Sequence, residues 1–148
     1  MKPYDIVFFQ NDSIISKIIK WFTKSQYSHV GILTYDLNVV FDIQLVGRST
    51  YRKIKNRDKI DIYRLNAEVD ENQALSWIMN HGNLKYDLGE IVKIVFNKKT
   101  RDDDNKFICS TLVLDFIRNC TDMKVDENLY IVSPQDLIDL NLVTKVCD

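Results

Sequence analysis

Cys109 opens the run Phe107-Ile108-Cys109-Ser110-Thr111-Leu112-Val113-Leu114-Asp115-Phe116-Ile117, whose apolar spacing predicts a buried helix that starts at the thiol. A helix N-terminus carries partial positive charge, which favours thiolate over thiol and turns an ordinary cysteine into a nucleophile. Such a nucleophile also needs a base. Far upstream, Tyr27-Ser28-His29-Val30-Gly31-Ile32-Leu33 places His29 in an apolar strand, facing away from Val30 by strand alternation. A base histidine in turn needs a group that fixes its tautomer. The next strand, Val39-Val40-Phe41-Asp42-Ile43-Gln44, offers Asp42 and Gln44 on one face, and the turn at Asp36-Leu37-Asn38 brings them back alongside His29. These are the residue types of an activated thiol nucleophile and its base. Taken one at a time, Cys109 in its apolar context and His29 in its strand also read as packed core side chains, so proximity decides between the two readings.

The remaining chemistry-bearing residues have plainer roles. His81 precedes Gly82 at the end of a helical segment, where capping accounts for it. Cys120 and Cys147 have no setting like that of Cys109 and read as filler. Asp102-Asp103-Asp104 lies among Lys98, Lys99, Arg101 and Lys106 and lacks the spacing of a calcium loop, so a solvated loop is expected and no metal or cofactor.

The elements that must position these residues follow from periodicity. Strands are expected at Tyr4–Phe9, Ser28–Tyr35, Val39–Leu45, Arg48–Ile54 and Lys59–Leu65. Ser13–Lys24 reads as an amphipathic helix: Ile14, Ile15, Ile18, Ile19 and Phe22 form its apolar side, and Lys17, Lys20 and Lys24 the other. That lysine face is expected to be solvated, with contact to an anionic membrane surface as the alternative. Asp70–Gly82 carries an acidic first turn and a terminal glycine, both helix signals. Leu88–Phe96 reads as a further helix, and the Cys109 helix should run to about Asn119. Ser133 and Pro134 read as the cap and first position of a last helix, and Leu142–Val146 as a returning strand.

A chain of 148 residues with 45% hydrophobic and 28% charged side chains suits one globular domain spanning residues 1–148. Twenty basic against twenty-one acidic residues leave a net charge of −1, which gives no long-range attraction for nucleic acid. Three irregularly spaced cysteines argue against a disulfide framework. No apolar run reaches the length of a membrane span, and no secretory signal opens the sequence, so a cytoplasmic location is expected.

In order and spacing, Tyr4–Phe9, Tyr27–Ile32, Phe41-Asp42, Tyr86-Asp87, Phe107–Val113 and Ser133–Leu137 together resemble the circularly permuted branch of the NlpC/P60 superfamily of papain-like cysteine hydrolases, the YiiX/YebB-like proteins. The likeness runs over nearly the whole chain. It implies an α+β permuted papain-like fold, with a small, mostly antiparallel sheet or partial barrel packed against helices. It assigns Cys109 as nucleophile and His29 as base. The third position is usually a glutamate in that branch, whereas this chain has Asp42, with Gln44 as the other candidate. The resemblance further implies an acyl-enzyme route on an amide, peptidoglycan-type peptide or related acyl substrate. Backbone N–H groups of Cys109 or Ser110 would help hold the oxyanion, and Tyr27 is a candidate phenolic donor. A catalytically silent binding protein with the same cleft, and a lipid acyl hydrolase or acyltransferase at a membrane surface, are the alternatives.

Overall fold

The computed structural model describes residues 1–10, 25–43, 48–82, 85–86, 106–130 and 132–146. The expected helices at Ser13–Lys24 and Leu88–Phe96 fall outside those residues. So do Lys17, Lys20, Lys24, Gln44, the Asp102–Asp104 run and Cys147.

Within them the architecture is α+β. Six strands, β1 (Ile6–Phe9), β2 (His29–Leu33), β3 (Val39–Ile43), β4 (Ser49–Lys53), β5 (Ile60–Leu65) and β8 (Val143–Lys145), form one open sheet in the order β4-β3-β2-β1-β5-β8. Every pairing in it is antiparallel. A short turn joins β2 to β3, the connection antiparallel neighbours allow. Two further strands, β6 (Lys85–Tyr86) and β7 (Lys106–Phe107), make a separate parallel pair, the second ending just before Cys109. No sequence signal pointed to that pair.

Alternation along the strands divides the sheet into two faces. Ile6, Phe8, Val30, Ile32, Phe41 and Ile43 point to one side and join the main core, while Val7, Phe9, Leu33 and Val40 form a smaller cluster on the other. Three described helices, α1 (Glu71–Asn80), α2 (Cys109–Cys120) and α3 (Pro134–Asp139), belong to the main-core side. Helix α2 packs on β2 and is flanked by α1 and α3.

Each helix start has a local cause. The Asp70 carboxylate accepts from the backbone N–H groups of Asn72 and Gln73 and caps α1. Ser133 and Asp136 form a reciprocal capping box around Pro134 at the head of α3. At α2 the cap position is Ile108, which has no polar side chain; Thr111 Oγ1 instead accepts from the Ile108 N–H at 2.9 Å. The helix therefore begins at Cys109 without a side-chain oxygen on its first amides.

Gly31 makes the β2–β3 pairing fit. It lies opposite Asp42, and a Cβ at this position would sit 2.9 Å from Asp42 Cβ and 3.3 Å from the Phe41 carbonyl oxygen. Gly31→Ala is therefore expected to cost about 1–3 kcal/mol, seen as a lower urea midpoint at unchanged slope. A midpoint equal to that of the parent protein would show that the strand pair yields without strain.

Candidate active site

The residues expected to carry chemistry come from three elements. Cys109 is the first residue of α2, His29 the first of β2, and Asp42 lies near the end of β3. Pairing sets His29 beside Phe9 and leaves Asp42 one step along, opposite the small Gly31. Through the gap that the glycine leaves, the His29 Nε2–H donates to Asp42 Oδ2 at 2.9 Å. A carboxylate only accepts, so this bond places the proton on Nε2.

That leaves Nδ1 for the thiol. The imidazole and the Cys109 thiol are hydrogen-bonded to each other, and the Val30 backbone N–H donates to the sulfur. His29 shares its face with Phe9, whereas α2 packs on the other side of the sheet. The two nevertheless meet, because Cys109 lies against the first residues of β2, where the strand begins.

The electrostatics follow from this contact. Burial opposes a thiolate at Cys109, which is only 6% exposed, but the His29 imidazolium and the Val30 N–H outweigh it and bring the thiol below its ordinary range. Burial likewise opposes the imidazolium, and there the Cys109 and Asp42 charges prevail, raising His29 to about 10. Both shifts favour the thiolate–imidazolium pair over the neutral one. Cys120 behaves in the opposite way: buried in the core with acidic neighbours, its thiol is pushed up to about 12.

Sequence reasoning missed one participant. Arg52 on β4 donates from Nε to the same Asp42 Oδ2 at 3.0 Å, and its guanidinium lies 4.3 Å over the Phe9 ring. The sequence marks Arg52 only as part of the strand expected at Arg48–Ile54. What ties it to Asp42 is the β3–β4 register, which pairs Thr50 with Asp42 and Arg52 with Val40.

Two further expectations take a different form. Ser110 is fully buried and donates its hydroxyl to the Val132 carbonyl, so its side chain is already committed. Tyr27 is also fully buried, and its phenol donates to Asp61 Oδ2 at 2.6 Å with Tyr63 Oη 2.9 Å away. Burial comes first in raising that phenol far above its usual range, with Asp61 and Tyr63 adding to it. Tyr27 is thereby tied to a structural cluster. In the same cluster burial works against the Asp61 carboxylate, yet Lys145, Tyr27 and Gln10 hold it below its usual range. His81 stacks on Trp77 with ring centroids 4.0 Å apart, and its Nδ1–H donates to the Trp77 carbonyl, which agrees with an end-of-helix role.

No protein-family model matches the chain, and no curated protein matches it. Its fold is similar to that of a solved structure, the metalloprotein yiiX from Escherichia coli, with a TM-score of 0.72 over 99% of this chain and 96% of that one, at 20% sequence identity. The chain has a YiiX-like fold. Among the described residues no group of three or more His, Cys, Asp or Glu side chains is arranged to hold a metal ion. Among the described residues, too, no helix is long and apolar enough to cross a membrane.

The opposed shifts of the two thiols make a direct test. At pH 6 iodoacetamide is expected to modify Cys109 about tenfold or more faster than Cys120, followed by peptide mass mapping, because the first thiol is lowered and the second raised. Equal rates would show that His29 does not activate the thiol.

Proposed function

We propose that the protein is a cysteine hydrolase of the permuted NlpC/P60 type, acting on an amide or related acyl bond. One observation carries the reading: a thiol at the head of α2 is hydrogen-bonded to an imidazole whose far nitrogen is held by a buried carboxylate. The order along the chain, His29, then Asp42 on the adjacent strand, then Cys109 at a helix start, is that of the permuted branch. The YiiX-like fold is compatible with it.

In this reading the Cys109 thiolate attacks the acyl carbon, and the carbonyl π electrons move onto oxygen to give a tetrahedral oxyanion. The first intrahelical bond of α2 runs from the Leu112 N–H to the Ile108 carbonyl, so the amides of Cys109 and Ser110 have no partner within the helix and are suited to receive that charge. As the oxyanion collapses, the bond to the leaving amine or alcohol breaks, and Nδ1 of the imidazolium gives it a proton. The product is a thioester at Cys109 and a neutral imidazole. Water then attacks the thioester, with His29 taking its proton, and collapse returns the carboxylic acid and the thiolate–imidazolium pair. Asp42 keeps Nε2 protonated throughout, so that Nδ1 is the atom that exchanges protons.

The experiment is covalent trapping. With a panel of activated ester and amide probes, intact-mass spectrometry should detect an acyl adduct on the wild-type chain and none on Cys109→Ala. His29→Ala should acylate about 10²–10⁴-fold more slowly. The wild-type rate should trace a bell, falling at acid pH as the thiolate is protonated and at alkaline pH as the imidazolium loses its proton near 10. Absence of any adduct on wild type would favour a silent binding protein instead.

A further inference from the structure

Asp42 is 0% exposed and its Oδ2 accepts two charged donors, His29 Nε2 at 2.9 Å and Arg52 Nε at 3.0 Å. A buried carboxylate is stable only when its charge is matched and its lone pairs are filled. The histidine alone does not supply that match, because its imidazole is shared with the Cys109 thiol. Arg52 supplies it from the next strand and is itself held in place. Its side chain is 22% exposed, Nη1 reaches Asp58 Oδ2 at 3.4 Å, and its planar head lies over Phe9, whose ring centroid is 5.5 Å from that of His29. Arg52, Phe9 and His29 therefore form one layer on the sheet face away from α2, with Asp42 bridging its two cations.

We propose that Arg52 is a positioning residue, one that holds the buried Asp42 carboxylate aimed at His29 Nε2 and so keeps Nδ1 facing the thiol. A lysine cannot replace it fully. The bond to Asp42 comes from a fixed Nε while the flat guanidinium stacks on Phe9, and an ammonium reproduces only the charge. Without Arg52 the carboxylate has one donor fewer, and its two readiest responses, taking up a proton or turning toward water, both release the imidazole. The consequence for catalysis rests on the hydrolase reading above, whereas the effect on His29 does not.

The test uses the full chain with Arg52→Met, which keeps a hydrocarbon stem over Phe9, together with Arg52→Lys and Asp42→Asn. The first readout is the pH profile of Cys109 alkylation. Arg52→Met should move its acid limb upward by about one pH unit, a loss of about tenfold at pH 6, and Arg52→Lys should fall between Met and wild type. Adding Arg52→Met to Asp42→Asn should leave the profile where Asp42→Asn alone puts it, since Arg52 acts through that carboxylate. A lowered melting temperature with an unmoved profile, or effects of Arg52 and Asp42 that simply add, would overturn the proposal. The second readout is the ¹⁵N-edited signal of the His29 Nε2 proton. If wild-type Cys109 proves no more reactive than an ordinary thiol, the hydrolase reading falls and this signal judges Arg52 alone. Its loss in Arg52→Met and retention in Arg52→Lys support the positioning role, and its persistence in both refutes it.

Discussion

A carboxylate removed from water must find its donors within the protein, and at Asp42 that requirement organises the sheet around it. The side chain enters the space opposite Gly31, meets an imidazole from one neighbouring strand and a guanidinium from the other, and so couples β2, β3 and β4 through one oxygen atom. A neutral side chain at position 42 would leave two charged donors facing each other across a gap. The hydrogen bonds of the meander and the polarity of the candidate site thus share a cause: the strands can take this register with all charges matched only while the carboxylate is present.

The thiol side of the site depends on different physics. Helix α2 is held by its apolar face, with Leu112, Val113, Phe116 and Ile117 all buried in the main core, and that packing places Cys109 at the start of β2. Burial by itself would keep the sulfur protonated, as it does for Cys120 at the other end of the same helix. Two cysteines eleven positions apart on one helix therefore differ in character through their neighbours: one meets an imidazole and a backbone N–H, the other meets hydrocarbon and acidic residues.

Much of this was legible in the sequence because it is local. The hairpin turn at Asp36–Asn38 specifies that Asp42 returns beside His29, the caps at Asp70 and Ser133 mark their helices, and the apolar run after Ile108 marks α2. Boundaries moved by a residue or two: the first strand starts at Ile6, after Tyr4 with a positive φ of 67°, and α2 runs through Cys120. What could not be read depended on register or on distant partners. Arg52 carries no motif, and only the pairing of β4 with β3 places it over Phe9. The hydroxyl of Ser110 is taken by Val132 and the phenol of Tyr27 by Asp61, partners remote in the chain that no local pattern announces. The meeting of Cys109 and His29 was the least predictable element, since alternation alone sends the histidine to the face away from the helix.

The candidate site is divided between two kinds of contact. His29, Asp42 and Arg52 belong to consecutive antiparallel strands and come together through the pairing of those strands, whereas Cys109 arrives only when a helix from late in the chain docks on β2. During synthesis, which proceeds from the N-terminus, the histidine and its carboxylate can assemble long before the sulfur reaches them. Until docking is complete the Cys109 thiol keeps its ordinary acidity, because the imidazole and the Val30 N–H that lower it are not yet beside it. Docking is thus the event that changes the character of the sulfur.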